Sequence, residues 1–458
     1  MRILLTVHQF LPDHTTGTEV LTFQVARELK KSGHEVRIVT GYPMKRVPES
    51  NKRFDQYEYQ GLQVERYYHQ EGAAVGQQSN IVELEYHNHL FADWLRRFLD
   101  EWRPDIVHFF HLKNLSATSI DICRDIGIPM VLTPTDFWLV CPTNQLLLPD
   151  GSLCDGPDRQ GVNCLRHVVT NTQSSIIRRF FEFAPDSWIA SAIRISTSSV
   201  LAKRPPFSWA CALASRTEFI RQRVRGLDCI LAPTRFMENL LVTHGMLPKK
   251  LECSRFGIDL SGFGPPPIRR GALDALRVGF IGSLLHHKGA HILLDAVRRI
   301  PVEIPLVVQV YGNQSVSPEY VKQLVELVGD DPRIHFCGTF PNEAIGEVFA
   351  NIDVFVVPSL WYENTPLVMY SAQAACCPIV SSNLGGMSEV IRDGIDGLLF
   401  PSGDSEALAS ILEKLCLNRE MVNTLAENSP RVKSITEYTS ELESTYREIL
   451  TTRETMPS

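Results

Sequence analysis

Short apolar runs alternate with amphipathic segments along most of the 458-residue chain. The run RILLTV at 2–7 is typical of a buried strand, and residues 19–31 after it have the apolar spacing of a helix that ends at Gly33. Further strands are predicted at 104–110, 128–134, 227–233, 277–282, 306–311, 333–337, 353–357, 378–381 and 397–400. Strands that alternate with helices in this way indicate a parallel, doubly wound α/β sheet.

The alternation stops once, at 259–271, where DLSGFGPPPIRRG has the proline and glycine content of an interdomain linker. We therefore predict two doubly wound, Rossmann-like domains, at 1–260 and 261–420, that face each other across a cleft. Helices at 421–458 are expected to pack back on the first domain. Ligands of such sheets bind beyond the carboxyl ends of the strands, so the cleft is the expected site.

Composition excludes several classes of protein. A net charge of −7 argues against a nucleic-acid partner, because proteins that bind nucleic acids are usually basic. The first residues lack the pattern of a signal peptide, and no apolar run is long enough to span a membrane. Eleven irregularly spaced cysteines suggest reduced thiols more than a disulfide framework. A cytoplasmic protein is expected.

One stretch interrupts the first domain. Residues 170–225 contain nine Lys or Arg and three Asp or Glu, a net charge of 9 − 3 = +6. Aromatic residues are interleaved with these charges, namely Phe180, Phe181, Phe183, Trp188, Phe207 and Trp209. The stretch is either a helical insertion with a solvated basic face or a peripheral membrane surface for anionic lipid or a lipid-linked acceptor.

The segment VGFIGSLLHHKG at 278–289 joins a strand to a helix through a glycine turn. Gly282 would let the backbone approach a ligand, and Ser283 and Lys288 would point polar groups at it. A helix that begins near Gly289 adds positive partial charge, so the segment suits a diphosphate. An ordinary turn followed by an exposed lysine remains the alternative.

The segment DVFVVPSLWYENTPLVMY at 353–370 joins a buried strand to a second helix. Glu363 and Asn364 lie in a loop that we expect to be exposed, and Thr365 is predicted to cap a helix with Pro366 at its first position. A carboxylate beside the first-turn amides could accept hydrogen bonds from sugar hydroxyls. Alternatively, Glu363 only interacts favourably with the helix dipole.

A combination of motifs in a fixed order resembles the retaining enzymes of glycosyltransferase family 4, which have the GT-B fold. The motifs are PDIVHFFHL at 104–112, FGID at 256–259, GFIGSLLHHKG at 279–289, VVPSLWYENTPLVMYSAQA at 356–374 and PIVSSNLGGMSEVIRDGIDGLLFP at 378–401. The resemblance runs from residue 1 to about 418 and is weakest at 170–225. It implies transfer of a hexosyl group from a UDP- or GDP-sugar to a glycan or lipid-linked acceptor, as in cell-surface polysaccharide assembly.

The same resemblance implies roles for individual residues. Glu363 would contact the donor sugar, Lys288 the diphosphate, and Gly17 would let the loop of the first domain approach the donor. The amides of Asn364, Thr365 and Leu367 would lie close to sugar and phosphate. The family needs no metal or other cofactor for this step, because basic side chains and helix dipoles supply the positive charge.

The chain departs from the family at several positions. Ser283 stands where an arginine is frequent, and Thr135 precedes Asp136 where a histidine is frequent. His111 is a candidate to replace that histidine, and a purely structural histidine is the alternative. Ser371 stands where a second acid would bind the ribose, a change worth about 1.5–3 kcal/mol of donor binding. These departures leave a second interpretation open, a catalytically degenerate protein that binds nucleotide sugar or a partner.

A separate cysteine pattern lies in the first domain. Cys141, Cys154, Cys164 and His167 end in a C-x-x-H pair, a spacing that suits structural zinc. The first two gaps are long, however, and free buried thiols are the alternative. No metal is assigned from the sequence.

Overall fold

The computed structural model describes residues 1–70, 81–158, 161–172, 179, 183–197, 207–264 and 274–455. The chain forms two compact units, one of residues 1–255 and 436–458 and the other of residues 256–435. The strands are β1 Arg2–Val7, β2 Glu35–Met44, β3 Phe54–Tyr59, β4 Leu62–Gln70, β5 Ile106–Phe109, β6 Met130–Leu132, β7 Cys229–Ala232, β8 Lys250–Cys253, β9 Leu276–Ile281, β10 Leu306–Tyr311, β11 Ile334–Gly338, β12 Val354–Val357, β13 Ile379–Ser382 and β14 Gly397–Phe400. The α-helices are Gly17–Lys31, Ile81–Leu84, His89–Trp102, Thr118–Asp125, Val162–Thr172, Asp186–Thr197, Phe207–Val224, Arg235–Thr243, Ala290–Arg299, Pro318–Val328, Ile345–Ala350, Leu367–Ala374, Ser405–Leu417, Arg419–Glu427 and Ile435–Thr455.

The first unit contains an eight-stranded sheet in the order β3-β4-β2-β1-β5-β6-β7-β8. Neighbouring strands are parallel except β3 and β4, which form an antiparallel hairpin. This hairpin was not predicted from the sequence. Its turn residues Gln60 and Gly61 both have positive φ, as a two-residue hairpin turn requires. The order of strands reverses at β1 and β5, so a ligand site is expected beyond their carboxyl ends.

The second unit contains a six-stranded, fully parallel sheet in the order β11-β10-β9-β12-β13-β14. The central strands of this sheet are mostly apolar and buried, whereas the edge strand β11 exposes His335 and Cys337. Residues such as Val278, Val308 and Val356 join the helices in one core. This pattern arises because helices cover both faces of a parallel sheet. The prediction of two doubly wound α/β domains is confirmed, and the reversal of strand order in this unit falls at β9 and β12.

The C-terminal residues are divided between the units. The helix Arg419–Glu427 belongs to the second unit, because Val422 and Leu425 are part of its core. The helix that follows belongs to the first unit, where the Tyr446 hydroxyl lies 2.6 Å from Nδ1 of the buried His108. The prediction that all of 421–458 packs on the first domain is therefore wrong for residues 421–435.

The insertion at 170–225 lies between β6 and β7, which are neighbours in the sheet. Its described parts are helical, and residues such as Arg178, Phe180, Phe181, Lys203 and Arg204 lie outside the described residues. Among the residues that the structure describes, no helix has the length and apolar content that crossing a bilayer requires.

Two of the basic residues counted in the insertion do not form part of a solvated face. Arg216 is 1% exposed, its Nε lies 3.2 Å from a carboxylate oxygen of Glu85, and it donates to the Trp138 carbonyl at 2.6 Å. Arg223 is paired with Asp121 at 2.7 Å. The charge balance of the sequence therefore overstates the positive charge that this segment presents to solvent.

Candidate functional site

Two loops meet where the strand order of the second unit reverses. The loop after β9 runs from Gly282 to Gly289, and the loop after β12 starts at Pro358. The Leu360 amide donates to the His287 carbonyl at 2.8 Å. Gly289 has a φ of +74°, and a Cβ at this position would lie 1.9 Å from the Pro358 carbonyl oxygen. Glycine is therefore required here, both for its left-handed backbone and for this close approach.

Glu363 lies between these loops and is held by three donors. Its Oε1 lies 2.6 Å from Lys288 Nζ, and it accepts hydrogen bonds from Ser359 Oγ at 3.0 Å and Trp361 Nε1 at 2.8 Å. The residue is 7% exposed, so the expectation of an exposed loop is wrong. Because burial removes most of the water from the carboxylate, its charge has to be satisfied by protein donors, and these three groups supply them.

The cation of this cluster is Lys288. Its Nζ lies 5.0 Å from the centre of the Trp361 ring, and the His287 ring packs against the same tryptophan at 4.8 Å. Burial, and then the charge of Lys288, lower the pKa of His287 to about 4. At neutral pH His287 is therefore uncharged, and Lys288 supplies the positive charge beside Glu363.

The helix after Glu363 begins one residue later than predicted. It spans Leu367–Ala374 with Pro366 as N-cap, and the Thr365 hydroxyl donates instead to the Asn364 carbonyl at 2.7 Å. The predicted Thr365 cap is wrong because Pro366 has an extended backbone and cannot be the first helical residue. Asn364 and Thr365 are both buried beside Glu363.

A second glycine turn supports the same loop. The Gly386 amide donates to the Glu363 carbonyl at 3.0 Å, and a Cβ at Gly385 would lie 3.2 Å from that carbonyl. This Gly-Gly pair belongs to the motif at 378–401, and its hydrogen bond to Glu363 is a finding of the structure. Ser359 and Trp361 were not predicted as site residues, and the only sequence signal for them is their position in the loop after β12.

Ser283 and Ser371 have different surroundings. Ser283 is exposed in the loop after β9. Ser371 is buried, and its hydroxyl donates along its own helix to the Leu367 carbonyl at 3.4 Å. The residue expected near a ribose is thus engaged, weakly, with the first turn of its helix.

In the first unit, His111 and Asp136 meet beyond β5 and β6. His111 Nε2 lies 2.9 Å from Asp136 Oδ2, and His111 Nδ1 accepts a hydrogen bond from the Lys113 amide at 3.0 Å. The imidazole therefore carries its hydrogen on Nε2 and donates it to Asp136. Burial raises the pKa of Asp136, but His111 and the other donors outweigh it, so the pKa lies below its usual range. Thr135 donates to the Phe110 carbonyl at 3.2 Å and anchors this loop.

Asp136 retains hydrogen-bonding capacity, and His111 does not. Oδ2 of Asp136 accepts hydrogen bonds from His111 and from Asn144 Nδ2 at 2.7 Å, whereas Oδ1 accepts from the Trp138 amide at 2.9 Å. A carboxylate oxygen can accept two hydrogen bonds, so Oδ1 can accept another. Both ring nitrogens of His111 are already engaged, which makes Asp136 the better candidate to bind a hydroxyl.

Gly17 is connected to this pair through residues that sequence analysis missed. Gly17 is the first residue of its helix, and the Thr16 hydroxyl donates to the carboxylate of the fully buried Glu19. The other carboxylate oxygen of Glu19 lies 3.6 Å from His8 Nε2, and the His8 ring lies 4.2 Å from that of His111. His8 follows β1 directly, the same signal that identified His111 after β5. Burial, and then the neighbouring His111, hold the pKa of His8 well below its usual value.

Two doubly wound units, each with polar side chains where the strand order reverses, define a protein of the GT-B class. Comparison with family models identifies the family. The model "Glycosyltransferase Family 4" matches residues 15–176, and the model "Glycosyl transferases group 1" matches residues 271–432. The chain belongs to this family of glycosyltransferases.

Individual glycosyltransferases are also similar to this chain in sequence or in fold. The chain is 31% identical over 167 residues to D-inositol 3-phosphate glycosyltransferase of Corynebacterium urealyticum, covering 35% of this chain and 39% of that protein. It is 27% identical over 199 residues to the amylovoran biosynthesis glycosyltransferase AmsK of Erwinia amylovora, covering 41% of this chain and 47% of the relative. These matches span less than half the length of each relative. The structure of HepE of Anabaena in complex with UDP-glucose has the same fold, with a TM-score of 0.61, 15% identity and coverage of 98% of this chain and 100% of that one.

We expect Gly289→Ala to lower the urea midpoint of the second unit more than Gly394→Ala does. Both glycines have a φ of +74°, but a Cβ at Gly394 would meet nothing within 4 Å. The left-handed backbone costs each variant about 1–2 kcal/mol of unfolding free energy. Gly289→Ala adds the clash with Pro358, so equal losses in the two variants would contradict the loop packing described above.

Proposed function

We propose that the protein is a retaining glycosyltransferase that moves a sugar from a UDP- or GDP-sugar to a hydroxyl of a growing glycan or glycolipid. The observation that carries this proposal is the Lys288–Glu363 pair at the strand reversal of the second unit. Similarity to a polysaccharide-biosynthesis glycosyltransferase supports the glycan acceptor, and similarity to a protein with bound UDP-glucose supports the nucleotide-sugar donor.

The donor's diphosphate would bind beside Lys288. The helix Ala290–Arg299 begins two residues after this lysine, with Gly289 as its N-cap, and its N-terminus adds positive partial charge there. Its His291 and Ile292 amides already donate to the Tyr320 hydroxyl and the Gly289 carbonyl, so the ammonium group would neutralise most of the diphosphate charge, without a metal or other cofactor. Gly282, Ser283 and the amides of Asn364, Thr365 and Leu367 would complete the donor contacts.

Glu363 would bind the donor sugar through its second carboxylate oxygen. Oε1 accepts all three hydrogen bonds described above, which leaves Oε2 to accept hydrogen bonds from sugar hydroxyls. Transfer with retention forms a bond between the acceptor oxygen and the anomeric carbon and breaks the bond from that carbon to the phosphate oxygen. The proton of the acceptor hydroxyl passes to the departing phosphate. Glu363 and Lys288 hold the sugar and the leaving group in place for this step.

In the first unit, the pair of His111 and Asp136 would bind a sugar hydroxyl. Asp136 Oδ1 has the capacity to accept it, and His111 orients the carboxylate. The buried Glu19 and the half-buried His8 lie between this pair and the start of the first helix at Gly17. The sequence suggested that His111 takes the place of the family's histidine. In the present assignment Asp136 binds the hydroxyl, and His111 only orients Asp136.

We expect Glu363→Gln to reduce transfer at least about 100-fold, the scale measured when one electrostatic contact to a reacting group is removed. The glutamine keeps the shape of the side chain and can still accept hydrogen bonds from Ser359 and Trp361, so the fold should be retained. Transfer to a glycan acceptor is measured by release of UDP or GDP, and the exposed Glu343→Gln serves as control.

Near-normal turnover in Glu363→Gln would contradict the assigned role. Donor binding without any turnover in the unaltered protein would instead favour the degenerate, binding-only interpretation. A thermal-shift series with UDP-, GDP- and ADP-sugars measures that binding directly, because a ligand of the native state raises the unfolding midpoint.

We expect Ser371→Glu to tighten the donor by about 1–3 kcal/mol, since a carboxylate can accept a charge-assisted hydrogen bond from the ribose. The effect should appear mainly in the donor KM, with little change in kcat. Ser371→Gln is the control of equal size without charge. Weaker binding in both variants would show that the buried position of Ser371 has no room for a longer side chain, and the ribose role would be dropped.

We also propose that the insertion contacts anionic membrane surfaces. Among its described residues, Phe183 is 82% and Trp188 is 66% exposed, an unusual exposure for large aromatic side chains. Since Arg216 and Arg223 are paired inside the protein, the contact depends on these aromatic residues together with the remaining basic side chains of 170–225.

We expect Phe183→Ser/Trp188→Ser to reduce co-sedimentation with vesicles that contain phosphatidylserine, whereas Leu417→Ser leaves it unchanged. Leu417 is 71% exposed in the second unit and controls for the loss of any exposed apolar residue. Added salt should weaken the binding of the unaltered protein, because exposed charges are screened. Equal binding to neutral vesicles would argue against the electrostatic part of the proposal.

A further inference from the structure

Three thiols and an imidazole line one small cavity of the first unit. They belong to Cys141, Cys154, Cys164 and His167, and the function proposed above uses none of them. Cys141 and Cys164 are buried, and Cys154 is half-buried. Most of the remaining lining is glycine, proline and leucine. The Asn163 amide group already donates to the Gly156 carbonyl at 2.7 Å, so few other polar groups compete for this space.

A tight hairpin explains how cysteines separated by a long gap reach the same cavity. Leu147 and Leu153 form an antiparallel bridge, and the Leu148 amide donates to the Ser152 carbonyl at 2.8 Å. The Cys154 amide donates to the Leu146 carbonyl at 2.9 Å. The twelve residues between Cys141 and Cys154 therefore fold back on themselves, which removes the objection that the gap is too long.

The other two groups come from one helical turn. Cys164 and His167 are three residues apart in the helix Val162–Thr172 and so lie on the same face. The start of this helix is fixed by Asp158, whose carboxylate accepts a hydrogen bond from the Val162 amide at 2.9 Å. The hairpin supplies Cys154, the turn before it supplies Cys141, and the helix supplies Cys164 and His167.

The four side chains are not at the distances that metal coordination requires. Within the described ranges, no group of three or more His, Cys, Asp or Glu residues is arranged to hold a metal ion. The thiols instead contact weak partners. Cys141 Sγ lies 3.2 Å from Thr143 Oγ1, and Cys154 Sγ accepts a hydrogen bond from the Gly156 amide at 3.4 Å. Each partner lies only two residues along the chain, so rotation of the cysteine side chain is enough to break the contact.

Residues 142–158 contain no helix and no strand beyond this isolated bridge. An irregular segment of this length inside a compact unit usually needs a cross-link or a function. The start of this segment also matters for the candidate site, because Asn144 contacts Asp136 and the Cys141 amide donates to the Phe137 carbonyl at 2.7 Å.

We propose that Cys141, Cys154, Cys164 and His167 bind one zinc ion through three thiolates and a neutral imidazole. Three sulfur ligands and one nitrogen ligand are a set typical of tetrahedral structural zinc, and four protein ligands leave no open position for catalysis. The ion would fasten the hairpin to the helix and thereby hold Asn144 against Asp136.

Metal analysis of the full chain tests this proposal. The protein is purified without chelator and with any histidine tag removed, and its zinc and iron contents are measured. We expect one zinc per chain in the unaltered protein and a loss of most of it in Cys154→Ser and in Cys164→Ser. Cys337→Ser, which removes an exposed thiol of the second unit, should retain the zinc.

Substoichiometric zinc in the unaltered protein, or iron in its place, would overturn the proposal whether or not the variants fold. A second measurement concerns the structural role. Removal of zinc by a chelator should lower the Tm of the unaltered protein, because binding energy of a structural metal is folding energy. An unchanged Tm after the zinc has been removed would overturn the structural role.

Discussion

The ion pair between Lys288 and Glu363 is the interaction on which the candidate site of the second unit depends. It joins the loops that follow β9 and β12, the two strands at which the strand order reverses. The ammonium group needs the carboxylate because both are largely withdrawn from water, and the carboxylate is further held by Ser359 and Trp361. The result is a cation and an anion fixed side by side, the combination that a diphosphate and a sugar require of one small site.

The first unit uses different chemistry at the equivalent place in its sheet. Its cluster contains the imidazoles of His8 and His111 and the carboxylates of Glu19 and Asp136. Burial keeps the His8 ring uncharged, whereas its contacts keep Asp136 ionised. A cluster of this kind binds hydroxyl groups better than phosphates. The two units thus differ in the charges at their strand reversals: a lysine lies beside a carboxylate in the second unit, and imidazoles lie beside carboxylates in the first.

The insertion shows how composition can mislead. Its excess of positive charge suggested a solvated or membrane-facing basic surface, yet Arg216 is among the most buried side chains of the protein. There it binds Glu85 and the carbonyl of Trp138, whose amide in turn donates to Asp136. At least part of this charge therefore supports the candidate site from inside the fold, and the exposed aromatic residues carry more of the argument for a membrane contact.

The sequence by itself determined the alternation of strands and helices, the linker, the loops that contain Lys288 and Glu363, and the family. These follow from periodicity and local motifs, which depend on neighbouring residues. The tertiary structure alone decided that Glu363 is buried against Lys288, that Asp136 rather than His111 has spare hydrogen-bonding capacity, and that Cys141 and Cys164 line one cavity. Each of these depends on contacts between residues far apart in the chain, and such contacts are set by the order of strands and the packing of loops, which no local pattern encodes.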